Sequence, residues 1–157
     1  DGILSKEHHQ RLDNVALHVP EGAVPKDGPS AGAAFTTSIV SAVLNKPVNR
    51  EVAMTGEINL RGEVGRIGGL KFKLEAAYLG GAKTVIIPEK NIHDLEKIPG
   101  YIKDTIDIKP VKHIGEVLEI AFGENVLSGQ PTFENNSGYG QSGGSFAGME
   151  IHTSYVL

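Results

Sequence analysis

The chain has no cysteine and no tryptophan, and only two methionines, among its 157 residues. Without cysteine there is no disulfide framework, no thiol nucleophile and no cysteine-ligated zinc. No apolar run approaches the roughly 18 residues that a membrane-spanning helix needs. Excess positive charge is lacking too: 15 Lys and Arg stand against 19 Asp and Glu, a formal charge of −4. That balance argues against a nucleic-acid partner held mainly through its phosphates. Asp1-Gly2-Ile3-Leu4-Ser5 shows neither the basic start nor the apolar stretch of a signal peptide, and the chain does not end in Ser-Lys-Leu, a peroxisomal address.

The residues present are 39% hydrophobic and 22% charged, a mixture that supports a soluble core in one domain with a tail. Glycine is abundant at 20 residues. The composition shifts once, from Ser128 to Gly148, into Ser, Gly, Asn and Gln with isolated aromatics. With few aliphatic groups to bury, that stretch is expected to be flexible. Its Gly138-x-Gly140-x-x-Gly143 pattern has no strand before it and no helix after it, so it is not read as a dinucleotide fingerprint.

The body alternates strand and helix signals. Val15 to Val19 is a strand candidate, followed by a loop from Pro20 to Pro29 with three prolines and two glycines. Ser30 to Leu44 predicts a helix stopped by Lys46-Pro47. Val52 to Thr55 predicts a strand, and Ile58 to Leu60 with Val64 to Ile67 a hairpin around Arg61-Gly62-Glu63. Leu70 to Leu79 predicts a helix ended by Gly80-Gly81, and Thr84 to Ile87 a buried strand ended by Pro88. Asn91 is placed as the cap of a short helix over Ile92 to Lys97, Thr105 to Ile108 as a strand, and His113 to Phe122 as a final helix. The fold class is α+β, or mixed α/β.

Lys26-Asp27-Gly28-Pro29-Ser30-Ala31-Gly32 carries the strongest local chemistry. A proline-stiffened loop delivers Ser30 to the start of an apolar helix, where free N–H groups and the helix dipole favour a developing oxyanion. The plain alternative is that Ser30 caps the helix. Gly28-x-Ser30-x-Gly32 also matches a nucleophile elbow, with His93 or His113 and Asp94, Asp104 or Asp107 as partners, but no strand runs into the serine. A phosphate cradle is a third option, although no Walker pattern is present.

A lysine can act as a base for such a serine if its neutral form is favoured. Leu70, Leu74 and Ala77 set the apolar direction of one helix, from which Lys73 lies about 65° and Lys71 about 95° at the helical period. Lys73 is the better placed of the two; either could instead lay its stem over the apolar face with its head in water.

Three long segments, in order, resemble the proteolytic domain of the Lon proteases: Val19 to Gly32, Ala53-Met54-Thr55-Gly56-Glu57-Ile58, and Ile67-Gly68-Gly69-Leu70-Lys71-Phe72-Lys73-Leu74. Lys83 to Pro88 and Asn91 extend the resemblance, which runs without gaps from about Leu17 to Phe122. It implies a Lon-type domain over 15–124, folded like the second domain of ribosomal protein S5 but without its leading strands. An N-terminal segment, 1–14, precedes it, and a flexible Gly/Ser-rich tail, 125–157, follows.

The resemblance further implies a Ser–Lys dyad, with Ser30 as nucleophile and Lys73 as general base. Thr55 matches a position whose hydroxyl hydrogen-bonds the catalytic lysine, and His18 matches one of two histidines near the dyad. Ala16 takes the place of the other; alternation along a strand puts 16 and 18 on one face, so one polar support is missing. Asp27 matches a residue associated with switching between open and blocked sites, and Gly28 and Pro29 match the substrate-facing loop. Phe72 replaces a common acidic residue and Gly65-Arg66 a frequent Leu-Pro, changes beside the dyad helix that bear on subunit or substrate contacts.

The implied reaction is endoproteolysis of unfolded or tagged polypeptides through an acyl-enzyme, with helix N–H groups holding the oxyanion. The family works as a homo-hexameric ring driven by an ATPase module. No cofactor is expected in this chain, ATP and Mg belonging to that module, and neither a metal, a membrane nor a nucleic-acid partner is expected. His8, His9 and His152 lack metal-ligand spacing and are placed at the surface. The motifs point to bacterial cytoplasm, with an organellar matrix as the alternative location. The competing function is a catalytically silent Lon-like scaffold or assembly domain.

Overall fold

Val85-Ile86-Ile87 is a continuous β-branched run, the composition of a strand covered on both faces. The computed structural model describes residues 29–123 and 126, and in it this run lies in the central strand of the larger sheet. The elements are α1 (Gly32–Leu44), β1 (Val52–Met54), β2 (Glu57–Ile58), β3 (Val64–Gly65), α2 (Leu70–Leu79) and β4 (Thr84–Pro88). A 3-10 stretch (Glu89–Lys97), α3 (Gly100–Thr105), β5 (Asp107–Val111) and α4 (Ile114–Phe122) complete them.

The sheet order is β1-β4-β5, both pairings parallel, with Ala53 opposite Val85 and Val85 opposite Ile108. Parallel neighbours need crossovers, and the chain supplies them with α2 between β1 and β4 and α3 between β4 and β5. Side chains alternate across the sheet and so create two cores. Ala53, Val85 and Ile87 pack with Leu70, Leu74 and Ala77 of α2 and Ile102 of α3. Val52, Met54 and Ile86 pack on the other side with Ala33 and Ala34 of α1 and Val117 and Ala121 of α4. The result is a mixed α/β fold with helices on both faces of a parallel sheet, beside an antiparallel β2–β3 hairpin.

The helix over Leu70–Leu79 forms where the sequence predicts it, and the hairpin forms around Arg61-Gly62-Glu63 with shorter strands, Glu57–Ile58 in place of Ile58–Leu60 and Val64–Gly65 in place of Val64–Ile67. Four other local expectations need correction. The first helix begins at Gly32 with Ala31 at its cap, so Ser30 stands ahead of it and the helix has no side-chain cap. Asn91 does not cap a helix: the 3-10 stretch starts after Pro88, and Asn91 is fully buried inside it. Thr105 closes a helix instead of opening a strand, which begins two residues later at Asp107. His113 stands just outside the final helix as its cap, its ring Nδ1 accepting from Gly115 N–H while the Glu116 carboxylate accepts from the His113 N–H. The Val15–Val19 strand, the tail and its glycine pattern lie outside the described residues.

Candidate active site

Ser30 is half-buried in a turn that Gly32 N–H closes onto the Pro29 carbonyl at 3.1 Å. Two backbone bonds hold this turn against the end of β1: Gly56 N–H donates to the Ser30 carbonyl at 2.9 Å, and Ala33 N–H to the Gly56 carbonyl at 3.0 Å. The buried Thr55 hydroxyl donates to the same Ser30 carbonyl at 3.4 Å, and Thr55 N–H reaches the Ile86 carbonyl of β4. The serine peptide is thereby referenced to the central strand.

Close approach makes two glycines obligatory. A Cβ on Gly32 would stand 2.8 Å from Ile58 N, and one on Gly56 would stand 2.7 Å from Val64 Cγ1. Real side chains do not tolerate such contacts, so α1 meets the β1–β2 link closely because Gly32 lacks a Cβ, and Val64 of β3 packs on that link because Gly56 lacks one.

From the opposite side, α2 brings Lys73 to the serine. Its Nζ lies 3.2 Å from Ser30 Oγ although the two residues are 43 positions apart. An ammonium donates to the hydroxyl across this distance; a neutral amine would accept from it. Lys71 faces elsewhere, exposed and 3.9 Å from the Glu75 carboxylate. The structure thus brings Ser30, Thr55 and Lys73 together and sends Lys71 to solvent. The Gly32 and Ala33 N–H groups, expected at a helix start to face an oxyanion, are engaged by the Pro29 and Gly56 carbonyls.

The elbow alternative loses its histidine at 113. Nδ1 of His113 is occupied by Gly115 N–H and Nε2 by the Arg61 carbonyl at 3.1 Å, so the ring serves the helix cap and the hairpin. His93 is exposed. Asp94 accepts from Arg66 and from the Asn91 amide; the Asn91 bond, then Arg66, holds its carboxyl below the ordinary aspartate range. Among the described residues no three His, Asp or Glu side chains are grouped to hold a metal. No described helix is long and apolar enough to cross a membrane. His18, Asp27 and Gly28 lie outside the described residues, and Pro29 is exposed at their edge.

A family model for the Lon protease (S16) C-terminal proteolytic domain matches residues 3–124. The chain belongs to this family. It is 58% identical over 118 residues to the Lon protease of Erwinia amylovora and 57% identical over 118 residues to that of Rickettsia bellii. Each match covers 75% of this chain and 15% of the relative. Against the Lon protease of Escherichia coli K12 the identity is 53% over 126 residues, 80% of this chain and 16% of the relative. The chain therefore spans about one-sixth of the length of the curated relatives it matches.

Gly56 and Asn91 emerge as site-building residues that local sequence reasoning did not single out for that part. Gly56 carried a signal, a glycine directly after a strand and before a hairpin, where close backbone approach is common.

Proposed function

We propose that this Lon-family domain is a serine endopeptidase that cleaves unfolded polypeptides through a Ser30–Lys73 dyad. The observation that carries the reading is the 3.2 Å contact between Lys73 Nζ and Ser30 Oγ, within reach of direct proton transfer. Neutral Lys73 takes the hydroxyl proton as Oγ bonds to the scissile carbonyl carbon. The peptide C–N bond then breaks, and the Lys73 ammonium returns the proton to the leaving amine. Water, activated by the same amine, releases the acyl group and restores the serine. Thr55 fixes the peptide that presents Ser30. His18 supports the dyad, Asp27 switches the loop, and Gly28 and Pro29 face the substrate.

We further propose that the domain has the fold of the second domain of ribosomal protein S5. It would act as the proteolytic part of a homo-hexameric, ATP-dependent protease of the bacterial cytoplasm, with ATP and Mg held on a separate module. A casein digest comparing the wild-type chain with Ser30→Ala and Lys73→Ala tests the reading. Each variant should lose at least about a thousandfold in turnover, the scale expected for a missing member of a catalytic pair. Equal cleavage by all three would end the dyad assignment. An inert but folded wild-type chain would leave the scaffold function in its place.

A further inference from the structure

Lys73 must be held as firmly as Ser30 if the two are to meet, and its helix has an unusual start. Gly68 and Gly69 precede Leu70; a Cβ on Gly68 would meet nothing within 4 Å, and Gly69 takes a left-handed conformation at φ 66°. No side chain caps the helix. Two glycines and an open N-terminus would let α2 swing relative to the sheet.

One side chain removes that freedom. The Asn91 amide oxygen accepts the Ile67 N–H at 3.0 Å, and the Asn91 amide nitrogen donates to the Ile67 carbonyl at 2.9 Å. Its second N–H donates to the Asp94 carboxylate at 2.6 Å. Both donors and the acceptor of a fully buried amide are thus used, the arrangement in which a buried polar group orders its surroundings. Asp94 in turn is held by Arg66, whose guanidinium contacts both of its oxygens at 3.2 Å. Arg66 itself stays largely exposed, so it braces Asp94 from the solvent side.

Asn91 follows the central strand β4 by three residues, and Ile67 precedes α2 by three. Thr55 docks on the Ile86 carbonyl of that same strand and bonds the Ser30 carbonyl. We propose that Asn91 is the positioning residue of the dyad: by clamping both backbone groups of Ile67 it fixes the start of α2, so that Lys73 is referenced to the same strand as Ser30. Arg66 and Asp94 form the outer brace of the clamp. This inference rests on the peptidase reading.

The test is the split between kcat and KM in fluorescent casein hydrolysis by the wild-type chain, Asn91→Ala and Asp94→Ala, with thermal melting to confirm that each is folded at the assay temperature. Asn91→Ala should lower kcat about 10- to 100-fold, the scale of loss from a ~1 Å misplacement, with KM within about twofold. Asp94→Ala keeps both Ile67 bonds and should lower kcat less, about two- to fivefold, also at unchanged KM; it carries the test if Asn91→Ala does not fold. A folded Asn91→Ala with wild-type kcat, or with the loss confined to KM, overturns the inference while leaving the dyad intact. If Asn91→Ala does not fold, wild-type kcat in Asp94→Ala overturns it. An inert wild-type chain overturns the peptidase reading, and this inference with it.

Discussion

Lys71 and Lys73 have the same chemistry and lie two residues apart on one helix, yet only Lys73 reaches Ser30. Helical periodicity already separates them, Lys73 lying about 30° nearer the apolar direction. The exposed Lys71–Glu75 pair is of the kind that contributes little. Lys71→Ala should therefore hydrolyse casein within about twofold of the wild-type rate, where Lys73→Ala does not. Asn91 was not legible in the same way. A local reading makes it a helix cap, because asparagine is a favoured capping residue; its true partner is Ile67, 24 residues away. Asp94 gives a pH signature at this scale. Its folded carboxyl titrates below the ordinary aspartate value of about 4, so its charge stabilises the fold above that value. That stabilisation is lost as the pH falls through the lowered folded value. In urea unfolding, Asp94→Asn should be less stable than wild type at pH 7, and the gap should narrow steadily below about pH 4. A gap independent of pH would contradict the assignment.

Among the elements, long periodic or strongly apolar segments were readable and short ones were not. The helix over Leu70–Leu79 has three buried positions on one face, and β4 has its unbroken aliphatic run. By contrast α3 is six residues long, follows Pro99 and begins with Gly100, so its local helix propensity is weak and packing of Ile102 in the core decides its form. Ile106, extended just after α3, alternates with Ile108 of β5 and drew the predicted strand too early. β5 also contains Pro110, tolerated because this strand lies at the edge of the described sheet. The cap of α4 was hidden because histidine is not a usual capping residue, and only the Glu116 reciprocal bond completes the box. Replacing it tests the element without touching the dyad. His113→Ala should lower the unfolding free energy by about 0.5–2 kcal/mol in urea titration and leave casein turnover unchanged. Unchanged stability would mean that the His113 bonds do not hold the end of α4.

For the whole molecule, alternation along β1 and β4 divides the helices into two layers, and the site forms where those layers meet one end of the sheet. α1, with Ser30 just ahead of it, packs on one face, while α2, with Lys73, packs on the other. The fold class and the family were legible because the motifs are long and stand in order. The meeting of the layers was not, because it depends on glycine contacts and backbone bonds between distant segments, such as Gly32 on Ile58 and Gly56 on Ser30. The central claim is that an amine from one layer activates a hydroxyl from the other. The most direct measurement is the rate at which a fluorophosphonate probe modifies Ser30, followed by mass spectrometry from pH 6 to 9, a span bracketing tuned catalytic lysines. The account predicts an adduct on Ser30, formed faster as the pH rises, and slowed at least about a hundredfold in Lys73→Ala. A rate indifferent to pH and to the loss of Lys73, or no adduct on Ser30, would contradict it.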